Sequence, residues 1–417
     1  MSPATGSAAA RPLLSAWRFV AVFGTVSLLA DFVYEGARSI TGPLLASLGA
    51  TGLVVGVVTG IGEAAALGLR LVSGPLTDRT RRFWAWTIAG YALTVITVPV
   101  LGIAGTLWVA CALVIAERIG KAVRSPAKDT LLSHAAHVTG RGRGFAVHEA
   151  LDQIGAVIGP LTVAGVLALT GDDYGPALGI LALPGVAALA LLVWLRLRVP
   201  DPAGYEPEPD PSRTPHPTSD LPDLQHQRRA PLPRAFWVYC SFTATTMVGF
   251  ATFGVLSFHM VTRGVLPAAA VPLIYAAAMA ADAAVALISG WAYDRIGAKT
   301  LAALPFLSAL IPVVAFTDNV ALVVAGALLW GAAVGIQEST LRAVVADLVA
   351  PPRRATAYGI FAAGLGAATA IGGALTGWLY DTSIPALITT VAAIQIAAIA
   401  LAAASIHRRQ TPEGTNH

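Results

Sequence analysis

The chain has little charge and almost no cysteine. Only 12% of its 417 residues are charged, about half of the roughly 25% that is usual in soluble domains. Its two cysteines, Cys111 and Cys240, lie in apolar runs without a CxxC partner, so neither a disulfide framework nor a zinc site is predicted. The scarcity of charge excludes a soluble enzyme, a disordered chain and a nucleic-acid-binding module.

Several motifs of chemistry are missing as well. The chain has no Walker A sequence, which excludes ATP hydrolysis as an energy source, and no nucleophile with a nearby base, which argues against a membrane enzyme. No group of His, Cys and Asp has the spacing of metal ligands, so neither a metal nor a cofactor is predicted. We expect no removable signal peptide before the first apolar run, which would act as its own insertion signal.

What the chain does have is hydrophobicity: 56% of its residues are hydrophobic and its mean hydropathy is +0.69. Runs long enough to span a bilayer are too long for barrel strands and do not alternate, so they predict helices. We predict an all-α polytopic membrane protein with twelve transmembrane helices. The runs fall at about 17–47, 53–73, 84–104, 106–128, 145–169, 175–199, 235–262, 268–290, 300–317, 321–347, 356–380 and 384–406.

Between the sixth and seventh runs lies a segment with ten prolines and many charges, which predicts a solvated linker. It divides the chain into two six-helix bundles. Basic residues of the connections fall mainly on the side that holds both termini, which predicts that both termini are cytoplasmic. The predicted organisation is a tail at 1–16, a bundle at 17–199, the linker at 200–234, a bundle at 235–406 and a tail at 407–417.

Two short matches between the halves support this division. Ser73-Gly-Pro-Leu-Thr-Asp78-Arg79 follows the second run, and Ser289-Gly-Trp-Ala-Tyr-Asp294-Arg295 follows the eighth. Ile158-Gly159 in the fifth run likewise matches Ile371-Gly372 in the eleventh. Two matches at equivalent runs indicate that the two halves are internal repeats.

These residues carry a resemblance to a known family. Gly74-Pro-Leu-Thr-Asp78-Arg79-Thr-Arg-Arg82 resembles the Gly-x-Leu-x-Asp-Arg-x-Gly-Arg signature of the major facilitator superfamily, although Arg81 stands where that signature has Gly. The segment from Gly290 to Lys299 resembles its second copy. The stretch from Arg143 to Asp152 and the following Gly155-Ala-Val-Ile-Gly159-Pro160 resemble the fifth helix of bacterial efflux-type members, where the latter is an antiporter signature.

The resemblance implies that contacts of the repeated loop lock the outward-facing state. The gating residues it implies are Gly74, Asp78, Arg79, Arg82, Gly290, Asp294, Arg295 and Gly297. Gly155, Gly159 and Pro160 form the antiporter-like packing motif, and such a glycine pair also allows two helices to approach closely.

The first span carries an acidic face. Asp31, Glu35 and Arg38 share one side of the helix, and Asp31 lies ~21 Å along the span from Trp17 at 1.5 Å per residue. A charge near the midplane must face a cavity or a partner. Two interpretations stay open: a proton-coupling acid at Asp31 and Glu35, or a structural Glu35–Arg38 pair.

The fourth and fifth spans each carry a charged stripe. Matching their depths predicts that Lys121 meets Asp152 and Arg124 meets Glu149. Two interpretations of these charges stay open: a structural salt-bridge network, or residues that line the cavity and act on the substrate or in coupling. In the second span, Glu63 and Arg70 lie two turns apart, so each needs a partner on another helix. Further candidates for the cavity in this half are Glu117, Arg118 and His148, the last as a proton relay or as a structural hydrogen-bond donor.

The second half has few such residues. Its candidates for the cavity are Asp282, Gln337, Glu338 and Arg342, with Glu338 and Arg342 spaced as an ion pair. The asymmetry predicts that ionic chemistry belongs to the first half.

We therefore expect a transporter of the major facilitator type in the bacterial inner membrane. It would move a small amphipathic or drug-like molecule outward by alternating access, coupled to protons, as a functional monomer whose other partner is the bilayer. An importer of a metabolite, a lipid or metal-ion exporter and a non-transporting receptor stay open as alternatives.

Overall fold

The computed structural model describes residues 14–205 and 231–410. Residues 1–13, 206–230 and 411–417, which include most of the predicted linker and parts of both predicted tails, lie outside this description. Within the described stretches, called here the N-terminal half (14–205) and the C-terminal half (231–410), the backbone forms helices and no strand.

The N-terminal half contains eight α-helices. They are α1 Ala16–Ser47, α2 Gly52–Gly68, α3 Arg70–Thr80, α4 Phe83–Gly102, α5 Leu107–Thr139, α6 Arg141–Thr170, α7 Tyr174–Gly179 and α8 Ala182–Arg198. The described C-terminal half contains seven. They are α9 Arg234–Val248, α10 Phe253–Thr262, α11 Val271–Ile296, α12 Ala303–Ala315, α13 Val320–Leu348, α14 Arg354–Thr382 and α15 Ile384–Gln410.

Ten segments of the described chain are long and apolar enough to cross a membrane. The 48-residue segment Ala268–Ala315 contains both α11 and α12. Helix α5 is not among the ten, because four charged residues lie in its apolar portion (Glu117, Arg118, Lys121 and Arg124). The prediction of an all-α polytopic membrane protein is confirmed, whereas the count of twelve spans and their orientation stay predictions.

The predicted seventh span is broken in the middle. Helix α9 ends at Val248, and α10 begins only at Phe253. A break inside a membrane exposes backbone carbonyls that need partners. The indole nitrogen of Trp330 donates a hydrogen bond of 3.0 Å to the carbonyl of Ala251, and so satisfies one of them.

The beginning of the predicted linker is part of the folded structure. Residues Pro202–Tyr205 form a 3₁₀-helix, and the Tyr205 hydroxyl donates to the carbonyl of Leu14 at 2.9 Å. Trp84 donates to the carbonyl of Pro200 at 3.0 Å. The expectation of a solvated segment from residue 200 onward was wrong for its first residues, because aromatic side chains of α1 and α4 pack against them.

Glycines allow the closest helix contacts. A Cβ at Gly155 or Gly159 would collide with the backbone of α1 at Leu28 or Phe32, so α6 packs directly on α1 as the glycine pair predicted. Between the halves, α14 packs on α2 in the same way, with Gly373 against Gly56. The bundle is therefore tight both within the N-terminal half and across the two halves.

The loops of the bundle lie at two opposite ends. The far end holds the loops 48–51, 103–106, 171–173, 263–267 and 316–319, and the near end holds the loops 81–82, 199–201 and 349–353. Among the described residues, every side-chain hydrogen bond between the two halves lies toward the far end.

Candidate functional site

A charged cavity lies between the two halves. Its volume is about 140 Å³, and it is lined by Asp31, Glu35, Arg38, Tyr91, Lys121, Arg124, Ser125, Lys128, Glu149, Asp152, Gln153, Ala156, Met279, Asp282, Val334 and Glu338. A larger depression of about 510 Å³ on α8 is lined only by apolar residues and Trp194, so we assign it to the lipid-facing surface. The cavity brings together most of the cavity candidates of the sequence analysis.

A network of ion pairs surrounds Arg38 and Arg118. Glu63 lies 2.9 Å from Arg38 and 3.4 Å from Arg118, so the prediction that Glu63 needs a partner on another helix is confirmed. Glu117 lies 3.3 Å from Arg118, and Glu35 lies 3.6 Å from Arg38. Ion pairs among these side chains thus join helices α1, α2 and α5.

The hydroxyl of Tyr34 accepts hydrogen bonds from three cationic side chains, a feature that the sequence analysis missed. Arg118 donates to it closely, Lys121 donates at 2.9 Å and Arg38 at 3.5 Å. Arg118 and Lys121 also lie 4.3 Å and 4.2 Å from the centre of its ring, within the range of cation–π attraction. The available signal was the position of Tyr34 one turn before Arg38, on a helix already known to be charged.

Contacts from the C-terminal half close the cavity toward the far end. The Tyr275 hydroxyl donates to the carboxylate of Glu35, and Arg38 lies 5.9 Å from the centre of the Trp330 ring. The hydroxyls of Thr59 and Thr252 are 2.9 Å apart. Acidic residues at the other side of the cavity, including Glu149 and Glu338, are exposed, so the cavity opens toward the near end.

The predicted pairs of α5 with α6 are shifted along the helix. Lys128, not Lys121, lies 3.8 Å from Asp152, so the Lys121–Asp152 pairing was wrong. Arg124 does not pair with Glu149: its guanidinium donates to Thr94 at 2.9 Å and lies 4.8 Å from the centre of the Tyr91 ring.

His148 contacts two polar neighbours. Its Nε2 lies 2.8 Å from the Ser27 hydroxyl, and its Nδ1 lies 3.5 Å from the Asp152 carboxylate. Ligand atoms of His148, Glu149 and Asp152 lie within 4.8 Å of one another, contrary to the expectation of no metal-ligand cluster. The three residues lie within about one turn of α6, and the sequence analysis did not identify this spacing as that of metal ligands. Because Lys128 already pairs with Asp152 and would repel a cation, we assign no metal to it.

Several charged groups of the cavity have no charged partner among the described residues. Asp31 makes no hydrogen bond or ion pair there, and no carboxylate lies within 4.0 Å of Lys121 or Arg124. Asp282 is 3% exposed, and its Oδ1 has no hydrogen-bond partner. These groups are free to contact a solute.

The remaining candidates of α13 lie at the margin of this site. Gln337 is half-buried, with its amide nitrogen unpartnered, and Arg342 is exposed. The expected pair of Glu338 with Arg342 is not formed among the described contacts, although the two residues are one turn apart.

The loop motifs of the two halves are exposed at the near end. Asp78 and Asp294 make no hydrogen bond or ion pair within the described part of the chain, so the locking contacts implied by the resemblance are not made in this conformation. Arg81 and Gly297, which hold equivalent positions in the two copies, both have a positive φ, of 51° and 63°. The other motif residues named above, Gly74, Arg79, Arg82, Gly290 and Arg295, make no contact between the halves among the described interactions; Arg295 stacks on Trp291.

Two aspartates join the halves at the far end. Asp381 accepts hydrogen bonds of 2.8 Å from the backbone N–H groups of Gly52 and Leu53, which begin α2. Asp172 accepts a 3.0 Å bond from the N–H of Ala269, just before α11. A carboxylate is favoured at a helix N-terminus, where N–H groups lack partners. The position of each acid along the chain does not reveal that it caps a helix of the other half.

A third acid at this end contacts only its own half. Arg263 donates to Asp318 at 3.2 Å and 3.3 Å, and the guanidinium holds the pKa of that carboxyl below its usual range. Because both side chains are exposed, the pair contributes little to stability. It joins two loops of the C-terminal half and does not hold the halves together.

The chain is similar to other proteins over nearly its whole length. The model of the family described as Major Facilitator Superfamily matches residues 23–281 and 265–417. The Mycobacterium tuberculosis protein named Uncharacterized protein Rv2265 is 72% identical over 397 residues, 94% of each chain. The Uncharacterized MFS-type transporter MJ1317 of Methanocaldococcus jannaschii is 29% identical over 140 residues, 34% of this chain and 35% of that protein.

The fold is also that of solved transporters. The crystal structure of the nucleoside transporter NupG superposes with a TM-score of 0.68 at 15% identity, covering 94% of this chain and 100% of that one. At this identity the likeness concerns the fold alone.

Proposed function

The chain belongs to the major facilitator superfamily, and from that premise we propose that it exports a small polar solute from the cytoplasm in exchange for protons. It is a multi-pass membrane protein and a secondary transporter. The two bundles would rock about the cavity between them, in the bacterial inner membrane with both termini in the cytoplasm. In that orientation the conformation described above is open to the cytoplasm.

Proton coupling rests on Asp31. Its carboxyl lines the cavity and has no hydrogen bond or ion pair with a described residue. The charged groups that face it are Asp152, Lys121, Glu35 and Lys128, on three helices. A carboxyl between acids and bases, reached from an open cavity, can change its protonation when a solute or a helix moves.

The neighbouring acids are less suited to carry the proton. Glu35 accepts from Tyr275 and pairs with Arg38, and Asp152 pairs with Lys128. Each has a partner that would have to be released before protonation. Asp31 therefore carries the proposal, as the acid without such a partner.

The lining argues for a polar solute. Ten of the sixteen lining residues are Asp, Glu, Lys or Arg. The cavity volume of about 140 Å³ is below the roughly 300–1,000 Å³ of pockets for drug-sized ligands. An amphipathic drug would leave these charges unpaired. Export as the direction is supported by the antiporter-like glycines and Pro160, which are buried where α6 packs on α1.

The experiment is ΔpH-driven transport in proteoliposomes, with solutes first selected by thermal stabilisation of the purified protein. Asp31→Asn should abolish pH-driven transport, and counterflow at equal pH should persist, since exchange of solute does not need net proton movement. Asp31→Glu should restore part of the coupling. Asp129→Asn, an exposed acid on α5, is the matched control.

Two outcomes contradict the proposal in different ways. Full pH-driven transport by Asp31→Asn would remove Asp31 from the coupling. If a pH gradient drives no stabilising solute in the unmodified protein, proton coupling itself is wrong. If the solute moves in the same direction as the protons, the protein is a symporter and not an exchanger.

A further inference from the structure

Unpaired basic residues line the cavity only from the N-terminal half, which also contributes the acids Asp31 and Glu149, without an ion pair among the described residues. On the N-terminal side, Arg38 and Arg118 are occupied by Glu35, Glu63 and Glu117, and Lys128 is occupied by Asp152. The two basic residues without a carboxylate are Lys121 and Arg124. On the C-terminal side, the only charged lining residues are the acids Asp282 and Glu338.

The cationic side is a built feature of α5. Lys121 and Arg124 are three residues apart, so both face the cavity from one side of the helix. Lys121 donates one hydrogen bond to Tyr34, and Arg124 one to Thr94, so both retain N–H groups without a carboxylate acceptor. Arg124 is only 4% exposed. A buried guanidinium without an anion is costly, and an anionic ligand would offset that cost.

The acidic side is formed by α11 and α13. The two helices touch closely at Gly335, where a Cβ would collide with the backbone at Asp282. Asp282 is 3% exposed and lines the cavity, and its Oδ1 has no hydrogen-bond partner. The other lining residues of this half, Met279 and Val334, are apolar and cannot neutralise it. An unpartnered carboxylate oxygen at this depth calls for a donor from a ligand.

We propose that the transported solute is a small zwitterion, held between the halves by its two charges. Its carboxylate or other oxyanion binds Lys121 and Arg124, and its protonated amine binds Asp282 and Glu338. The inference rests on the proposed transport function and adds the class of its substrate. A molecule with one charge would satisfy one side and leave the other uncompensated.

This arrangement also links binding to movement of the halves. The oxyanion site lies on the N-terminal half, and the amine site lies on the C-terminal half. A zwitterion of suitable length therefore bridges them, whereas two separate monopolar ions do not. Asp31 takes no part in this bridge and stays available for the proton.

The test uses ω-amino carboxylates of increasing length, from glycine to 6-aminohexanoate, with matched alkyl carboxylates and alkyl amines. Thermal stabilisation of the purified full-length protein at neutral pH measures binding without a proton gradient. We expect at least one zwitterion to bind at least tenfold more tightly than both monopolar compounds of its length. If no zwitterion does so, or if none binds, the inference is wrong.

Variants test the two sides separately. Asp282→Asn should remove the advantage of the zwitterion over the alkyl carboxylate, and Arg124→Gln its advantage over the alkyl amine. The matched controls are Asp129→Asn and Arg196→Gln, which change exposed residues outside the cavity. An unchanged preference in both cavity variants would overturn the inference. Proton coupling is read separately, from pH-driven transport, so a substrate of another class would leave the proposed function standing.

Discussion

The two halves of the molecule share a fold but use different chemistry inside it. In the N-terminal half, buried acids and bases pair across α1, α2 and α5. In the C-terminal half, the corresponding interior is aromatic: Phe253 lies 4.5 Å from Tyr275 and 5.2 Å from Trp330, measured between ring centres. The two sets meet where Tyr275 donates to Glu35.

The difference indicates that a repeated fold does not require a repeated interior. Aromatic rings pack without a charge that needs a partner. Buried charges are sensitive to protons and to ions, so the N-terminal half can respond to a solute. In the proposed mechanism, proton coupling belongs to the N-terminal half, whereas solute binding is shared, because Asp282 and Glu338 of the C-terminal half also line the cavity.

The largest expected effect is on the charged network. Arg118→Met leaves Glu117 without its cation and leaves Glu63 with Arg38 alone, which should lower the free energy of unfolding by ~3–5 kcal/mol. Unfolding by SDS titration in detergent micelles measures it. The double variant Arg118→Met/Glu117→Gln should recover part of the loss. An equal loss in both would show that packing around Arg118, not charge, holds this half.

A smaller effect is expected in the aromatic half. Trp330→Phe keeps a ring but removes the donor to the Ala251 carbonyl, at the break between α9 and α10. We expect a loss of ~1–3 kcal/mol in the same titration, because a buried carbonyl is left unpaired. High salt should not change this loss, unlike that of an exposed ion pair. No measurable loss would mean that the break needs no donor from α13.

The halves can also be compared through the two aspartates of the far end. Asp381→Ala and Asp172→Ala each remove a cap worth ~0.3–2 kcal/mol, which shifts the ratio of open to closed far ends by roughly two- to thirtyfold. Labelling of Thr59→Cys by an impermeant maleimide, in a chain without Cys111 and Cys240, should become faster. Asp381 makes two bonds and should have the larger effect.

Asp78→Ala is the matched control for this measurement, since Asp78 is an exposed acid at the near end. It should not accelerate labelling from the far side. Unchanged labelling in both far-end variants would show that apolar and glycine contacts keep the far end closed without the carboxylates.

The smallest effect concerns the repeated loop. Arg81 has φ 51° and ψ 20°, a left-handed conformation that is unfavourable for a side chain with a Cβ. Arg81→Gly should raise the free energy of unfolding by roughly 0.5–1 kcal/mol, after the greater freedom of glycine in the unfolded chain is counted. In the other copy, Gly297 has φ 63° and ψ −147°, where only glycine is comfortable. Gly297→Ala should therefore lower the free energy of unfolding. If Arg81→Gly and Gly297→Ala change it in the same direction, the proposed difference between the two copies is wrong.

The sequence was sufficient to predict helices, the charged spans and the poverty of charge in the second half. These follow from composition and from the position of each residue along its own helix. The Lys121–Asp152 pair failed because the depths of two helices were matched by counting. Lys121 and Lys128 are two turns, ~10 Å, apart, and α5 contains Pro126, so a small shift between helices changes the partner.

Other features could not be predicted from one helix at a time. Tyr34, Tyr275 and Trp330 became part of the site only because three or more helices converge there. Asp381 and Asp172 look like ordinary loop acids until the helix that each caps is known. The hydrogen-bond donor at the break in the seventh span likewise comes from another helix, α13.

The far-end aspartates bind backbone N–H groups and not side chains, and this has an evolutionary consequence. A main-chain donor is present whichever amino acid occupies the position, apart from proline. Leu53 and Ala269 can therefore drift through many residue types without loss of the contact, whereas each aspartate has few substitutes. A library of variants scored for transport should show broad tolerance at 53 and 269, with proline depleted, and narrow tolerance at 172 and 381.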